Sequence, residues 1–379
     1  MSGVDRFAAT VDLDAIRDNV ASLCRRTGSA QVMSVVKADG YGHGMVPSAR
    51  AAVEGGAEWL GVAFVDEALA LRAAGLQAPV LAWLVAPGDD IVAAAGSGID
   101  ISVSARWGLD EAVAVADVTG RATRVHLKVD TGLGRAGVTR TEWPALAEAA
   151  AKHVADGTVE VIGVWSHLAY ADAPGHPTIA RQAAAFGDAL AVAERAGLRP
   201  QLRHLANSAA TLALPDTHYD LVRPGVATYG LSPGPEVGTA SSLGLRPAMR
   251  LTARLALVKQ VPAGQGVSYG HRYTTNRATT LALVPLGYAD GVPRHATNLG
   301  PVQINGRRFT ISGTVCMDQF VVDVGDVEVE AGDEVVLFGP GDDGEPTAED
   351  WAAAIGTINY EIVTRIGPRV PRRYLGAAP

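Results

Sequence analysis

Between residues 31 and 225, short runs rich in Val, Ile and Leu alternate with alanine-rich stretches whose apolar positions recur at helical spacing. The runs QVMSVVK, EWLGVAF, APVLAWL, GIDISVS, TRVHLKVD, VEVIGVWSHL, QLRHLAN and YDLVRPG have the length and β-branched content of buried strands. The stretches 45–54, 65–74, 106–117, 141–155 and 178–197 predict helices, and Gly55, Gly75, Gly157 and Gly197 stand at or near their C-terminal ends. Eight strand-then-helix units predict an α/β fold of the (β/α)8 TIM-barrel type, because an open doubly wound sheet more often uses about five to seven strands.

After about residue 235 the pattern changes. AMRLTARLALVKQV, TTLALVPLGY, GPVQINGRRFTI, QFVVDVGD and GDEVVLFG are strand-like pieces separated by Gly, Pro and Asn turns. The Gly-, Pro- and Ser-rich LSPGPEVGTASSLG forms the natural boundary, which predicts a barrel over 1–238 and a mainly β C-terminal domain over 239–379. DRFAATVDL alternates like a strand, so residues 1–12 are expected to pair with that second domain.

Composition narrows the class of protein. The 379 residues suffice for two domains, and 48% hydrophobic with 19% charged residues describes a well-buried globular chain. A net charge of -8 argues against nucleic acid or an anionic membrane as partner, since both reward basic patches. No apolar run reaches the ~18 residues of a membrane span, and MSGVDRFAATVDLDAIRDNV lacks a basic-then-apolar signal pattern. Two distant cysteines, Cys24 and Cys316, offer neither a disulfide framework nor zinc spacing. A soluble, cytoplasmic protein without a metal is the expectation.

In a barrel of this kind, chemistry gathers where the strands end at the C-terminal face. Lys37 ends the first expected strand, Lys128 and Asp130 the fifth, His167 the sixth, His204 with Asn207 and Ser208 the seventh, and Arg223 the eighth. Any one of these polar residues merely marks where a strand leaves the core, but five strands converge on one rim. GYGHG after the first strand, ANSAATLALP after the seventh and RPGVATYG after the eighth have the glycines and helix starts that cradle phosphate through backbone N–H groups. Lys37 beside such a cradle is a phosphate grip, a reactive amine or an ordinary surface cation. An amine that attacks a carbonyl needs a pKa well below ~10.4, and Arg135, Arg223 and Lys128 would supply that depression if close. The combination points to pyridoxal 5'-phosphate, whose phosphate and aldehyde call for both features.

VVKADGYGHG, HLKVDTGLGRAG, WSHLAYAD, HLANSAA, VRPGVATYG, VSYGHRY, PLGYADGVPR, GTVCMDQ and INYEIVTRIGPRVPRRY occur in this order along nearly the whole chain. In this the sequence resembles the alanine racemases, pyridoxal-phosphate enzymes built from a barrel and a β-domain. The resemblance implies that Lys37 holds the cofactor as an imine and acts as base on one face of the substrate α-carbon, with Tyr269 as base on the other. It implies that Arg223 faces the pyridine nitrogen, buttressed by His204, and that Arg135 binds the substrate carboxylate near Tyr269. Lys128 matches a position carbamylated in many members. Tyr41, Ser208, Gly225, Val226 and Tyr360 match contacts to the cofactor phosphate, and His167 the residue beside its ring. Cys316, Met317 and Asp318 match a strip lining the pocket, with the Met317 N–H on substrate.

Because Lys37 and Tyr269 fall in different domains, the resemblance further implies a homodimer whose active sites are shared between subunits. Asp39-Gly40 stands where Asn-Ala is more frequent, and Leu133 where Met is common; neither removes a role. The implied activity is interconversion of L- and D-alanine for peptidoglycan synthesis. Its rivals are a racemase of the same build acting on serine, lysine or many amino acids, and an amino-acid decarboxylase of the same fold. A pocket lined by Tyr288, Tyr360 and Met317 favours alanine, and Arg223 in place of an acidic partner for the ring nitrogen disfavours the decarboxylase.

Overall fold

The computed structural model describes residues 6–376. Eight parallel strands form its first sheet: β2 (Gln31–Val35), β3 (Trp59–Val62), β4 (Val80–Ala82), β5 (Ile99–Val103), β6 (Thr123–Lys128), β7 (Val159–Trp165), β8 (Leu202–His204) and β9 (Leu221–Val222). From β2 to β8 neighbours in sequence pair, and β9 returns to β2 in the register Gln31 to Leu221. Closure on the remaining side comes from Asp220 N–H to Arg203 O at 3.0 Å and Arg223 N–H to Ala206 O at 2.9 Å. The sheet is therefore a barrel, as the eight-unit pattern predicts.

Its strands are shorter than the apolar runs suggest. β8 keeps three residues and β9 two, because polar residues at the rim leave the ladder to make side-chain contacts. Helices over Met45–Glu54, Val65–Ala73, Arg106–Thr119, Trp143–Ala155 and Pro177–Arg195 pack outside the sheet. A further helix, Leu13–Arg26, precedes the barrel; it buries Leu13, Ile16, Val20 and Leu23, and Asp12 caps its start through the Ala15 N–H. The interior is filled by Met33, Trp59, Leu81, Ile162, Leu202 and Leu221 with Trp83 against them.

The C-terminal part is built from antiparallel strands. β1 (Phe7–Asp12), β10 (Met249–Arg254), β15 (Pro301–Ile304), β16 (Arg307–Thr310), β18 (Glu334–Phe338) and β19 (Arg372–Leu375) make one sheet in the order β16-β15-β18-β10-β1-β19. β11 (Leu257–Val261), β14 (Thr279–Val284) and β17 (Phe320–Gly325) make a second, and β12 (Gly266–Val267) pairs with β13 (Tyr273–Thr274). β1 runs antiparallel to β10 and parallel to β19, so the first described residues belong to the β sheet; residues 1–5 of the segment expected to pair there lie outside the described residues. Two helices, Ala348–Ile355 and Asn359–Thr364, interrupt the β pattern, and the second carries Tyr360 toward the barrel rim.

Candidate active site

Lys37 does not end a strand. β2 stops at Val35, and the lysine opens a left-handed turn in which Ala38, Asp39, Gly40 and Tyr41 have φ of 52°, 52°, 61° and 53°. Each non-glycine residue there costs on the order of 1–2 kcal/mol, so the surroundings must hold the turn. Glu67 does so with its carboxylate, accepting from Ala38 N–H at 2.7 Å, Ala63 N–H at 2.9 Å and Phe64 N–H at 3.1 Å. Asp39 accepts from Met45 N–H at 2.9 Å, and Arg372 donates to Gly42 O at 3.0 Å from the last strand. The Lys37 amine sits 5.9 Å from the Trp83 ring centroid. Burial and then the charge of Arg135 lower its pKa, against the opposing charge of Glu67.

Across the rim, Asn207 caps the short helix Ser208–Ala213 by accepting from Ala210 N–H at 3.1 Å. Ser208 Oγ accepts from Gly225 N–H at 2.8 Å and Ala227 N–H at 3.3 Å. With both lone pairs engaged, its own proton is left to donate outward. Gly225 lies against Tyr41: a Cβ there would collide with the Tyr41 hydroxyl. Val226 opens the one-turn helix Val226–Tyr229. Tyr41 packs at 5.0 Å from Tyr229 and 6.3 Å from Tyr360, and burial raises the pKa of both Tyr41 and Tyr360, keeping their hydroxyls protonated.

Between these two flanks lies a concentration of positive charge. Arg223 is buried; NH1 lies 3.2 Å from His204 Nδ1, while NH2 donates to Ser166 O at 2.8 Å and Leu205 O at 3.2 Å and lies 3.5 Å from His167 Nδ1. Burial, then Arg135, lowers its pKa to about 9. His167 and His204 are held well below the usual histidine range by burial and then by Arg223, so both are neutral. Lys128 is buried with Nζ 4.0 Å from the Trp165 centroid, and burial followed by Arg223 and Arg135 brings its pKa to about 7 despite Asp130. Asp130 itself is engaged by the N–H groups of Gly132 at 2.8 Å and Leu133 at 3.0 Å, which fixes the loop that bears Arg135.

The remaining expected residues form a separate patch on the second domain. Tyr269 is 73% exposed, Met317 52% and Tyr288 42%. Their backbones are tied together: Tyr288 N–H donates to Cys316 O at 3.0 Å, and the Thr314 hydroxyl donates to Tyr269 O at 2.7 Å. Ser268, at φ 60°, donates to Thr314 O at 2.6 Å and lies 3.3 Å from Cys316 Sγ. Asp318 pairs with Arg369 at 2.7 Å. The hollow beside Tyr269 is lined by second-domain residues, among them Leu257, Leu281, Cys316 and Phe320. The groups around Lys37 and those around Tyr269 do not overlap among the described residues.

Residues 11–233 match the family description "Alanine racemase, N-terminal domain" and residues 248–374 match "Alanine racemase, C-terminal domain". The chain belongs to the alanine racemase family. It is 66% identical over 370 residues to an alanine racemase of Frankia casuarinae, covering 98% of this chain and 96% of that one. It is 63% identical over 371 residues to that of Salinispora tropica, covering 97% and 98%. Among solved structures, alanine racemase from D-cycloserine-producing Streptomyces lavendulae superposes with a TM-score of 0.98 at 57% identity, covering 100% of this chain and 99% of that one.

Within this racemase-family scaffold the sequence motifs miss several residues that shape the site. Glu67 lies in a helix with no motif around it, yet three N–H groups converge on it. Trp83 lies outside every motif and under Lys37, and Trp165, which opens WSHLAYAD, lies under Lys128, a contact the motif does not record. Asp100 lies inside strand β5 and outside every motif, where a charged residue at an interior strand position is the signal that marks it; His126 opens HLKVDTGLGRAG on β6, but the motif assigns it no role.

Proposed function

We propose that this protein is an alanine racemase that uses pyridoxal 5'-phosphate to interconvert L- and D-alanine, acting as a cytoplasmic homodimer that supplies D-alanine for peptidoglycan. The observation that carries the reading is the gathering of Lys37, Lys128, Arg135 and Arg223 opposite the Ser208–Gly225 cradle. Such a cluster, with Asp130 and Glu67 as its opposing charges, calls for an anionic ligand. The outward Ser208 proton and the tight approach of Tyr41 to Gly225 fit a phosphate, and the depressed Lys37 amine fits an aldehyde. Bound there, the cofactor supplies the electron sink that acidifies the substrate α-carbon.

The protein's own side chains then divide the work. Lys37 approaches the α-carbon from one face and Tyr269 from the other, because inversion requires a proton to leave on one side and return on the opposite side. Arg135 holds the substrate carboxylate through charge-assisted bonds. Arg223 would donate toward the ring nitrogen and, as a group that surrenders its proton reluctantly, would supply no proton to it. An Arg223 that keeps its proton would in this way favour rapid return of a proton to the substrate over side reactions. His167 flanks the ring, and Tyr41, Tyr360, Ser208, Val226 and Asn207 with its helix start hold the phosphate end.

Dimerisation follows from the separation of Lys37 and Tyr269. The exposed patch of Tyr269, Tyr288 and Met317 is the kind of aromatic and Met-rich surface that a partner covers. A second copy placing that patch over the Lys37 rim completes one site per subunit. The decisive experiment incubates the purified protein with D-alanine in heavy water and follows optical rotation with α-deuteration. Inversion accompanied by deuterium uptake is expected; release of carbon dioxide would instead establish a decarboxylase, and faster turnover of serine or lysine than alanine would reassign the substrate.

A further inference from the structure

A single file of buried side chains runs from Arg223 through the barrel, away from the site. Arg223 NH1 lies 3.2 Å from His204 Nδ1, His204 Nε2 lies 2.9 Å from His126 Nδ1, and His126 Nε2 lies 3.2 Å from Asp100 Oδ2. Asp100 receives Arg124 Nε at 2.7 Å and NH2 at 3.2 Å, and Arg124 reaches Glu160 at 3.5 Å. His204 and His126 are 0% exposed and Asp100 1%, whereas Arg124 and Glu160 are partly open to solvent. Arg124, His126 and Lys128 alternate along β6, so one strand presents them on one face. Room for the two imidazoles comes from Gly163 on β7: a Cβ there would collide with His126 Nδ1 and stand 3.0 Å from His204 Nε2.

The hydrogen-bond chemistry of this file permits one arrangement of protons. A guanidinium only donates, so His204 Nδ1 must accept and the His204 proton sits on Nε2. That proton faces His126 Nδ1, which must accept in turn, and His126 carries its proton on Nε2. The Nε2–H donates to Asp100, whose carboxylate only accepts. Adding a proton to either histidine would set two donors face to face. Every bond therefore points the same way, from the cation at the site to the carboxylate at the far end.

We propose that Asp100 and His126 are positioning residues for Arg223, fixing through His204 the single proton arrangement in which the guanidinium is held at the ring-nitrogen position. The inference rests on the role given to Arg223 above. Asp100 dictates the direction because it is the one buried member of the file with no proton to offer. Replacing it with Asn reverses the logic: Arg124 keeps the oxygen at its closer position, the amide –NH2 turns to His126, and both imidazoles must switch to Nδ1–H. His204 then presents a proton to Arg223, and the two repel. Replacing it with Ala removes the anchor but imposes no reversal.

Nitrogen-15 spectroscopy of histidine-labelled holoenzyme, combined with alanine turnover, tests this. In the unaltered enzyme His204 and His126 are expected as neutral Nε2–H tautomers; an Nδ1–H or doubly protonated form of either overturns the proposal. Asp100→Asn is expected to shift both toward Nδ1–H, to lower kcat about tenfold, and to raise pyridoxamine phosphate formed per racemisation by a similar factor. Asp100→Ala should be milder than Asp100→Asn on both counts, although Asn is the closer match in shape. If Ala is as harmful as Asn, or if Asn leaves the tautomers and the product ratio unchanged, Asp100 merely supports packing and the proposal falls. A lack of racemisation by the unaltered enzyme would refute the proposed activity alone, since the tautomers report on the file in either case.

Discussion

Lys128 stands 4.0 Å above the Trp165 ring centroid, buried, with Arg223 and Arg135 as the strongest cationic influences on it. An aromatic face stabilises an ammonium, but burial and the two guanidinium groups outweigh it and bring the pKa from the ordinary 10.5 to about 7. At neutral pH much of this amine is therefore unprotonated and able to add carbon dioxide. The carbamate would convert the cation to an anion able to pair with Arg135. A mass gain of one carbon dioxide at Lys128 after mild digestion is expected, with Lys128→Ala losing activity that added acetate partly restores. Unmodified lysine in fully active enzyme would exclude the modification.

The same residue predicts a pH dependence of stability in carbon-dioxide-free buffer. Its folded pKa of about 7 lies below the ordinary 10.5, so between these values the unfolded chain binds more protons than the folded one. Stability from this group consequently rises with pH across that window, with a slope of up to about 1.4 kcal/mol per pH unit. Denaturant midpoints at pH 7 and pH 9 for wild type and Lys128→Met measure it. The wild type should gain relative to the variant on going to pH 9; parallel behaviour would show that Lys128 is not depressed.

Arg223 sets reaction specificity in the proposed scheme. Arg223→Glu places an acid where a reluctant proton donor stood, so a proton becomes available at the ring-nitrogen position and side reactions would compete with return of the proton. Racemisation should fall by about 10²-fold or more, while pyridoxamine phosphate accumulates faster than in wild type. Absorbance and chromatography of the cofactor after prolonged incubation with alanine provide the measurement. A variant that loses racemisation with no gain in transamination would sink this account.

The barrel was legible because eight apolar runs separated by helical stretches have few other ways to bury both faces of each strand. The rim residues were legible as polar endings of those runs, yet the details that activate them were not. In KADGY only Gly40 and, weakly, Asp39 suit a left-handed turn while Ala38 and Tyr41 disfavour it; Glu67, on the helix of the next strand-and-helix unit, makes it tolerable by accepting from the Ala38 N–H. Similarly, His126 reads as one more residue of a strand until Gly163 and His204 arrive from β7 and β8. Contacts that cross strands are fixed by barrel closure, and motif spacing along one strand does not record them.

Gly225 offers a test of the proposed phosphate cradle that leaves Lys37 and Tyr269 intact. A Cβ at this position would collide with the Tyr41 hydroxyl, so Gly225→Ala must displace either the ring or the backbone whose N–H meets Ser208. Cofactor affinity is expected to drop about tenfold or more, the cost of one misplaced charge-assisted bond. Titration of the cofactor-free protein with pyridoxal phosphate, followed by fluorescence, gives the value. Unchanged affinity would place the phosphate elsewhere on the rim.

The proposed sharing of sites between subunits makes a prediction that neither subunit can satisfy alone. Lys37→Ala and Tyr269→Phe are each expected to lack racemisation, because each destroys one of the two opposed proton carriers in every site of its own homodimer. When the two are unfolded together and refolded, or co-expressed, half of the dimers are mixed, and each mixed dimer holds one site with both Lys37 and Tyr269 intact. Recovery of roughly a quarter of wild-type activity is expected from this statistical pairing in a two-fold symmetric assembly. Light scattering on the same samples reports the assembly state. No recovery from demonstrably mixed dimers would mean that Lys37 and Tyr269 act within one chain.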